Sequence, residues 1–338
     1  MEDFYQILEC LHYPEEKVLA TIIGVEGSAY KKEGSSMIFF SNGTRRGMLT
    51  AGCLEEDLAE KVKEVFKKQE AIILQYDLYS EDDLDWGQGV GCNGTINILL
   101  EPITEQLTED LHMVNELLRL HKPVIALKKL DDLGEYVFIE EDGEPFGNWS
   151  GRLPTIEFTS KSGIITSAGS PVFQQTIHPK PRLIIFGAGP DARPLVSLAA
   201  DTGFSVLICD WREEFGQKKH FPASTNILLG SPNHLLRQIS FSPYDFVIIM
   251  THQFRRDQEL LKRIINKNIR YLGILGPKER TRRLLDGEDI PRWVFSPIGV
   301  SIGAKGPVEI AVSVVAQMIE VWRKPVHERI ELHWTIPD

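Results

Sequence analysis

The stretch Leu183-Ile184-Ile185-Phe186-Gly187-Ala188-Gly189-Pro190-Asp191-Ala192 decides the fold of the C-terminal part of the chain. An apolar strand runs into a G-x-G-x-x-A turn, and the residues that follow have the pattern of a helix. Gly187 permits a tight turn, Gly189 lets a phosphate group approach the backbone, and Ala192 lets the helix pack closely on the sheet. The stretch therefore predicts a Rossmann-type domain.

Strand and helix patterns continue to alternate beyond this turn. They occupy residues 183–186, 195–202, 206–209, 246–250, 260–266 and 271–275. Such alternation is typical of βαβ units that build a parallel, buried sheet. We therefore predict the α/β fold class, with a Rossmann-type parallel-sheet domain over residues 181–325 and a short tail at 326–338.

Two charged residues follow the second predicted strand of this domain. Asp210 lies 23 residues after Gly187, close to the position of the acid that bonds a ribose hydroxyl in dinucleotide-binding domains. Arg212 is suited either to accept a 2′-phosphate or to pair with Asp210, and the sequence leaves both roles open. The two residues are candidate cofactor-binding groups.

Further candidates follow the later strands, because ligands of open α/β sheets bind at the carboxyl ends of strands. Thr251-His252 follows residues 246–250, and Gly276 follows the run that starts at 271. His252 is a candidate acid–base group or metal ligand, or else a hydrogen-bonded lining residue. Asp257 is a candidate to orient His252 or to cap the following helix.

A glycine-punctuated loop at 296–307 precedes the amphipathic helix pattern at 308–321. Successive backbone N–H groups around Gly299 and Gly303 can form an anion-binding nest, with the helix dipole behind them. A tight connection that docks the last helix is the equal alternative.

The N-terminal part predicts a mixed α+β domain over residues 1–150. Its strand patterns lie at 18–25, 36–40, 44–49, 71–76, 95–100, 124–127 and 135–139, and its later helix patterns at 54–66 and 105–120. Asn42-Gly43 is a two-residue hairpin signal. Residues 151–180 are rich in Gly, Ser and Pro and are expected to be a linker that carries short strands. We expect the ligand pocket between the two domains.

The four cysteines lack the Cys-x-x-Cys spacing of a structural zinc site. Cys10 lies on an apolar helical face and Cys209 in an apolar strand, so both are expected to be buried. Cys53 and Cys92 lie in glycine-rich turns instead. They are candidate catalytic or metal-binding thiols, with simple packing in a turn as the alternative.

Composition excludes several classes of function. The chain has 338 residues, 37 Lys+Arg and 48 Asp+Glu, for a net charge of −11, and it has no basic block that would follow a nucleic-acid backbone. No apolar run approaches the ~20 residues of a membrane-spanning helix. Met1-Glu2-Asp3-Phe4 does not resemble a secretory signal, so we expect a cytoplasmic protein with reduced cysteines.

Together the motifs resemble those of the XdhC/CoxI family, the accessory proteins of xanthine dehydrogenase and related molybdenum hydroxylases. The resemblance spans most of the chain, in order. Its N-terminal motifs are Gly27-Ser28-Ala29-Tyr30-Lys31, Ala51-Gly52-Cys53-Leu54-Glu55, and Cys92-Asn93-Gly94 leading to Glu101-Pro102. Its C-terminal motifs are Gly187–Ala192, Asp210–Arg212, Thr251-His252 with Asp257, Leu275-Gly276-Pro277, and Pro297–Ala304 with Pro307-Val308-Glu309-Ile310-Ala311.

The chain departs from the family pattern at several motif positions. Tyr30-Lys31 replaces Pro-Arg, Asn93 replaces a glycine, Pro190 replaces a histidine, Pro277 replaces a serine, and Ser301 replaces an acid. The two turn cysteines and the Thr-His pair are retained. The departures therefore affect individual ligand contacts more than membership of the family.

The resemblance implies an accessory protein that binds molybdenum cofactor, assists its sulfuration and inserts it into apo-xanthine dehydrogenase or a related hydroxylase. A cysteine desulfurase is then a second partner, and we expect a homodimer. The glycine turns would hold the cofactor phosphate, and Cys53 and Cys92 would lie near molybdenum, which soft sulfur ligands suit. Nothing in the sequence resembles the iron–sulfur or flavin modules of a complete xanthine dehydrogenase.

Two other functions remain open from the residues alone. One is an NAD(P)-dependent oxidoreductase, with Gly187, Gly189 and Asp210 on the dinucleotide and His252 as the proton-transfer group. The other is a scaffold that docks the hydroxylase and the desulfurase without holding a cofactor.

Overall fold

The chain divides into two compact units, Met1–Pro179 and Lys180–Asp338. The computed structural model describes residues 3–50, 52, 54–77, 93–156, 158, 161–167 and 169–324. The first unit is a mixed α+β domain built on antiparallel sheets, and the second is a Rossmann-type domain. The predicted fold class is confirmed.

The first unit contains, within its described residues, two antiparallel sheets of five strands each. Its helices are α1 (Asp3–Glu9), α2 (Glu55–Lys68) and α3 (Glu105–Arg119). The strands of one sheet are β1 (Lys17–Ser28), β2 (Ser36–Phe40), β3 (Arg45–Gly47), β4 (Ile72–Asp77) and β5 (Asn93–Pro102). The strands of the other are β6 (Val124–Lys129), β7 (Tyr136–Glu140), β8 (Phe146–Asn148), β9 (Gly163–Ser167) and β10 (Ser170–Ile177).

Apolar faces fix the position of α2 against the first of these sheets, whose strand order is β3-β2-β1-β5-β4. Leu58, Val62 and Val65 recur at helical spacing and are buried in one cluster with the apolar side chains of β1 and β5. β1 and β5 pair over most of their length, with an irregularity between Ile22 and Gly24. This sheet and α2 therefore form one core.

The other sheet of the first unit has the order β8-β7-β6-β10-β9. Its strands β9 and β10 come from the stretch 151–180, for which the sequence predicts short strands. β10 pairs with β6 from Val172 to Ile177, and its last six residues are buried. These strands therefore contribute to the core of the first unit.

The second unit has a six-stranded parallel sheet within its described residues, with the order β13-β12-β11-β14-β15-β16. Its strands are β11 (Arg182–Phe186), β12 (Ser205–Asp210), β13 (Asn226–Leu229), β14 (Asp245–Ile249), β15 (Tyr271–Ile274) and β16 (Val294–Phe295). Its helices are α4 (Ala192–Asp201), α5 (Pro232–Gln238), α6 (Phe254–Ile264), α7 (Lys278–Leu284) and α8 (Gly306–Arg323), with a 3-10 turn at Lys218–His220. This is the Rossmann order 3-2-1-4-5-6, which reverses between β11 and β14.

The central strands are apolar runs because both faces of the sheet are covered. β14 is buried at every position, and β11 at all but its first residue. The sequence pattern did not indicate β13, β16, α5 or α7. These elements span seven residues or fewer, and runs that short give little periodic signal.

Among the helices of the described residues, none combines the length and the apolar character needed to cross a bilayer.

Candidate functional site

The carboxyl edge of the parallel sheet gathers most of the predicted cofactor-binding residues of the second unit. The glycine turn follows β11 at the centre, and the loops after β12 and β14 flank it. Ligands of such sheets bind at this switch in strand order. The residues that end or follow the neighbouring strands here are Gly187, Gly189, Asp210, Arg212, Thr251, His252 and Gly276.

The glycine turn packs closely against Met250, the residue that follows β14. Gly187 has φ +123°, and a Cβ there would lie 2.4 Å from the carbonyl oxygen of Met250. A glycine is thus required at this position by the packing of the turn on β14. Ala192 is fully buried at the start of α4, which lets that helix approach the sheet.

Asp210 is occupied by donors from within the protein. Its carboxylate accepts hydrogen bonds from the Ala188 N–H at 2.6 Å, and from the N–H, Nε and Nη2 of Arg212 at 2.9, 3.0 and 2.9 Å. Burial alone would raise the pKa of Asp210, but the hydrogen bonds from Arg212 and Ala188 lower this pKa below its ordinary value. Of the two roles open to Arg212, the structure shows the pairing with Asp210.

Two guanidinium groups lie over the ring of Trp211. The guanidinium carbon of Arg256 is 4.0 Å from the Trp211 ring centroid, and that of Arg212 is 4.5 Å away. Arg212 also stacks on Phe215 at 4.1 Å. Trp211 follows β12 and Arg256 follows β14, so their contact spans the carboxyl end of β11, which lies between them.

His252 bonds to a residue of the glycine turn. Its Nε2 is 2.6 Å from Oδ2 of Asp191, which links the loops after β14 and β11. The side chain of His252 is 60% exposed, and its backbone adopts φ +59°. A histidine in this left-handed region costs conformational energy, and such residues cluster at functional sites.

Asp257 bonds to Thr251 and Arg280. Its Oδ1 accepts from the Thr251 hydroxyl at 2.5 Å, and its Oδ2 accepts from Arg280 at 2.5 Å. Arg280 also donates to the Leu275 carbonyl at 3.4 Å, beside Gly276 with φ +121°. Asp257 therefore ties the loops after β14 and β15 together, while the N-cap of α6 is Gln253, without a side-chain cap.

The loop before α8 is docked on that helix through Gly299. The Gly299 N–H donates to Oε1 of Gln317 at 2.9 Å, and the Gly299 carbonyl accepts from the Gln317 amide at 3.1 Å. A Cβ on Gly299 would lie 2.3 Å from the Ser313 hydroxyl, whereas one on Gly303 would meet nothing within 4 Å. These contacts match the docking interpretation at Gly299, while the anion nest at Gly303 stays a prediction.

The candidate thiols Cys53 and Cys92 lie outside the described residues. Near Cys53 in sequence, the buried carboxylate of Glu55 accepts from the Thr50 N–H at 2.9 Å and from its hydroxyl at 2.5 Å. Cys10 and Cys209 are free and buried as predicted, and burial raises the pKa of both thiols. Among the described residues, no group of three or more His, Cys, Asp or Glu side chains is placed to hold a metal ion.

Sequence reasoning assigned no individual role to four residues of this edge: Asp191, Trp211, Arg256 and Arg280. Their partners are distant in sequence, with Asp191 and His252 separated by 61 positions. The one local signal was that each follows a predicted strand end by only a few residues.

Comparisons with known proteins find matches along most of the chain. Three family models match: XdhC Rossmann domain at residues 183–318, BH1974-like central domain at 105–178, and XdhC and CoxI family at 10–77. The chain is similar to a probable xanthine dehydrogenase subunit of Bacillus subtilis, with 40% identity covering 96% of this chain and 99% of that one. It is also similar to the molybdenum cofactor insertion chaperone PaoD of Escherichia coli, with 24% identity covering 93% and 86%.

A solved structure has the same fold. The crystal structure of a xanthine dehydrogenase (BH1974) from Bacillus halodurans superimposes with a TM-score of 0.86 at 45% identity, and the match covers 96% of both chains.

Proposed function

Because this chain belongs to the XdhC and CoxI family, we propose that it is an accessory protein that binds molybdenum cofactor as cargo and delivers it to a xanthine dehydrogenase-type hydroxylase. The similarity to relatives over nearly the whole chain carries this proposal. One of them is named as a subunit of xanthine dehydrogenase and another as a molybdenum cofactor insertion chaperone. The first name gives the enzyme, and the second gives the cofactor and its insertion.

The carboxyl edge of the parallel sheet is the part of the second unit that fits such a cargo. The cofactor carries a phosphate on a flat pterin ring system, so its binding calls for positive charge and for an aromatic or backbone surface. The edge offers Arg256 and the ring of Trp211, which stack together, and Gly303, where nothing lies within 4 Å of a built Cβ. The chemistry of the edge is thus compatible with the phosphate end of the cargo.

Cys53 and Cys92 are proposed to bind the molybdenum end of the cargo. A thiolate is a soft ligand of the kind that suits a molybdenum–dithiolene centre. We extend the role to sulfuration, with a cysteine desulfurase as the sulfur donor, and to a homodimer as the working unit in the cytoplasm. Free thiols persist in that compartment.

Cofactor retention tests the proposal directly. The full chain is purified from a host that makes molybdenum cofactor, and the bound pterin is measured as its fluorescent oxidation product. Cys53→Ala and Cys92→Ala should each reduce the retained pterin at least severalfold. The matched control is Cys10→Ala, which removes a buried thiol and should leave retention unchanged when folding is verified by circular dichroism. Full retention in both turn variants would overturn the role of the thiols.

Delivery and assembly need separate measurements. Loaded protein mixed with apo-xanthine dehydrogenase should restore hydroxylase activity faster than free cofactor does, and faster again with a cysteine desulfurase and cysteine present.

Native mass spectrometry gives the number of protomers and the mass of the cargo in one experiment. A monomer with full delivery activity would remove the homodimer from the proposal.

An NAD(P)-dependent oxidoreductase is the second candidate, favoured by the strand order and the glycine turn of the Rossmann unit. Against it, the Asp210 carboxylate, which would bond a ribose hydroxyl, already accepts four hydrogen bonds from the protein. Fluorescence titration with NADH and NADPH separates the two functions. Binding tighter than about 1 mM that is lost in Gly189→Asp would favour the oxidoreductase.

A further inference from the structure

We propose that the carboxyl edge of the parallel sheet, here called the crevice, binds the phosphate group of its ligand through Arg256, which lies over the Trp211 ring, and not through the first amides of the glycine turn. The inference deepens the proposed function and depends on it only for the identity of the ligand. The presence of a phosphate-binding site at Arg256 can be tested without any cofactor.

The orientation of Arg256 is fixed by two contacts within the protein. Its guanidinium lies over the Trp211 ring at 4.0 Å, and its Nε donates to the side-chain oxygen of Gln253 at 3.1 Å. These contacts use one face and one N–H of the planar group. The two terminal nitrogens form the edge that remains, and this edge matches a phosphate or carboxylate in a bidentate geometry.

The ion pairs of the crevice neutralise Arg212 and Arg280, and Arg256 is not part of them. Arg212 is neutralised by Asp210 at 2.9 Å, and Arg280 by Asp257 at 2.5 Å. A further acid of the crevice, Asp191, bonds to His252. The pKa of Arg212 is raised chiefly by its hydrogen bond to Asp210, and the charges of Glu214 and Asp191 add to this. Among the salt bridges of the described residues, none involves Arg256.

The first amides of the glycine turn are already occupied. The Gly187 N–H donates to the Cys209 carbonyl at 2.9 Å, and the Ala188 N–H donates to Asp210 at 2.6 Å. An incoming phosphate would have to displace a buried carboxylate to use Ala188. Arg256 offers stronger, charge-assisted hydrogen bonds without that cost.

The ligand chemistry that fits is a phosphate monoester carried by a flat ring system. The phosphate pairs with the edge of Arg256, and the flat ring system stacks on the face of the Arg256 guanidinium that Trp211 does not cover. Both the phosphate of a pterin cofactor and the 2′-phosphate of NADPH have this chemistry. The two sources are distinguished by experiment.

The site is tested first with inorganic phosphate on the full chain. Binding is measured by calorimetry in chloride buffer at constant ionic strength, for wild type, Arg256→Gln and the matched control Arg255→Gln. Arg255 is the exposed neighbour, and its removal subtracts the same charge. We expect Arg256→Gln to weaken binding at least tenfold and Arg255→Gln to weaken it less than twofold. Equal losses in the two variants would overturn the proposal.

The contribution of geometry, as distinct from charge, is tested with Arg256→Lys. A lysine keeps the charge but loses the planar fork, so we expect an affinity between those of wild type and Arg256→Gln. Circular dichroism melts verify that each variant is folded. Wild-type affinity in Arg256→Lys would overturn the bidentate geometry.

Two further titrations identify the source of the phosphate and separate this inference from the proposed function. If NADPH binds at least tenfold more tightly than NADH to wild type but equally to Arg256→Gln, the site takes a nucleotide 2′-phosphate. If the two nucleotides bind equally and Arg256→Gln reduces pterin retention at least fivefold, it takes the cofactor phosphate. Loss of phosphate binding in Arg256→Gln, together with no retained pterin in wild type, supports the site and overturns the accessory function.

Discussion

At the scale of single residues, the carboxylate of Asp210 should make the stability of the second unit depend on pH. Its pKa is lowered in the folded state, so it stabilises the fold above its unfolded pKa of about 3.9, and the contribution is lost as pH falls through the folded pKa. We predict that Asp210→Asn lowers the free energy of unfolding at pH 7 by about 2–4 kcal/mol. Urea denaturation should show this difference shrinking as the pH is taken below about 4. A difference that is independent of pH would contradict the assignment.

Asp257 and His252 should differ sharply in their effect on stability. The Asp257 side chain is 1% exposed and accepts from Thr251 and Arg280, whereas the His252 side chain is 60% exposed. We predict that Asp257→Ala costs about 3–5 kcal/mol, because it leaves Arg280 unpaired beside a buried cavity. His252→Ala should stay within about 1 kcal/mol. Thermal melts of the two variants test this, and equal losses would show that His252 has a structural role of its own.

At the scale of elements, Gln317 determines how the loop before α8 is held. Its side chain bonds both backbone groups of Gly299 and accepts from the buried Tyr271 hydroxyl at 2.6 Å. We predict that Gln317→Ala costs about 2–3 kcal/mol and speeds amide exchange at Gly299 and Val300. Gly303→Ala is the control. It has φ +68° but open space, and should cost only about 1–2 kcal/mol for the left-handed backbone while leaving exchange at Gly299 unchanged.

The elements were the part of the fold that the sequence pattern predicted best. The predicted strands at 36–40 and 271–275 agree with Ser36–Phe40 and Tyr271–Ile274, because long apolar or alternating runs carry the signal. The partners within the site were not predictable in this way. The contacts of His252 with Asp191, and of Arg256 with Trp211, join loops after different strands. Only the strand order, which is set by the whole sheet, brings such loops together.

At the scale of the whole molecule, two units with separate cores should give two unfolding transitions. The Lys128–Glu101 ion pair is buried in the first unit, so Lys128→Ala should lower the free energy of unfolding of that unit by about 3–5 kcal/mol. In differential scanning calorimetry this variant should move one transition, and Asp257→Ala should move the other. Both transitions moving together in either variant would show that the units unfold as one body.

The placement of β11 at the centre of its sheet also has a consequence for synthesis of the chain. Arg182 of this strand pairs with Asp245 of β14, so the second neighbouring strand is translated 63 residues later. At ribosomal rates of ~5–20 residues per second, about 3–13 s pass before β14 has been made, and during this time one edge of β11 is unpaired. An emerging polypeptide in that interval is exposed to aggregation through this edge. Ribosomes that pause between residues 211 and 244 should therefore lower the yield of native protein.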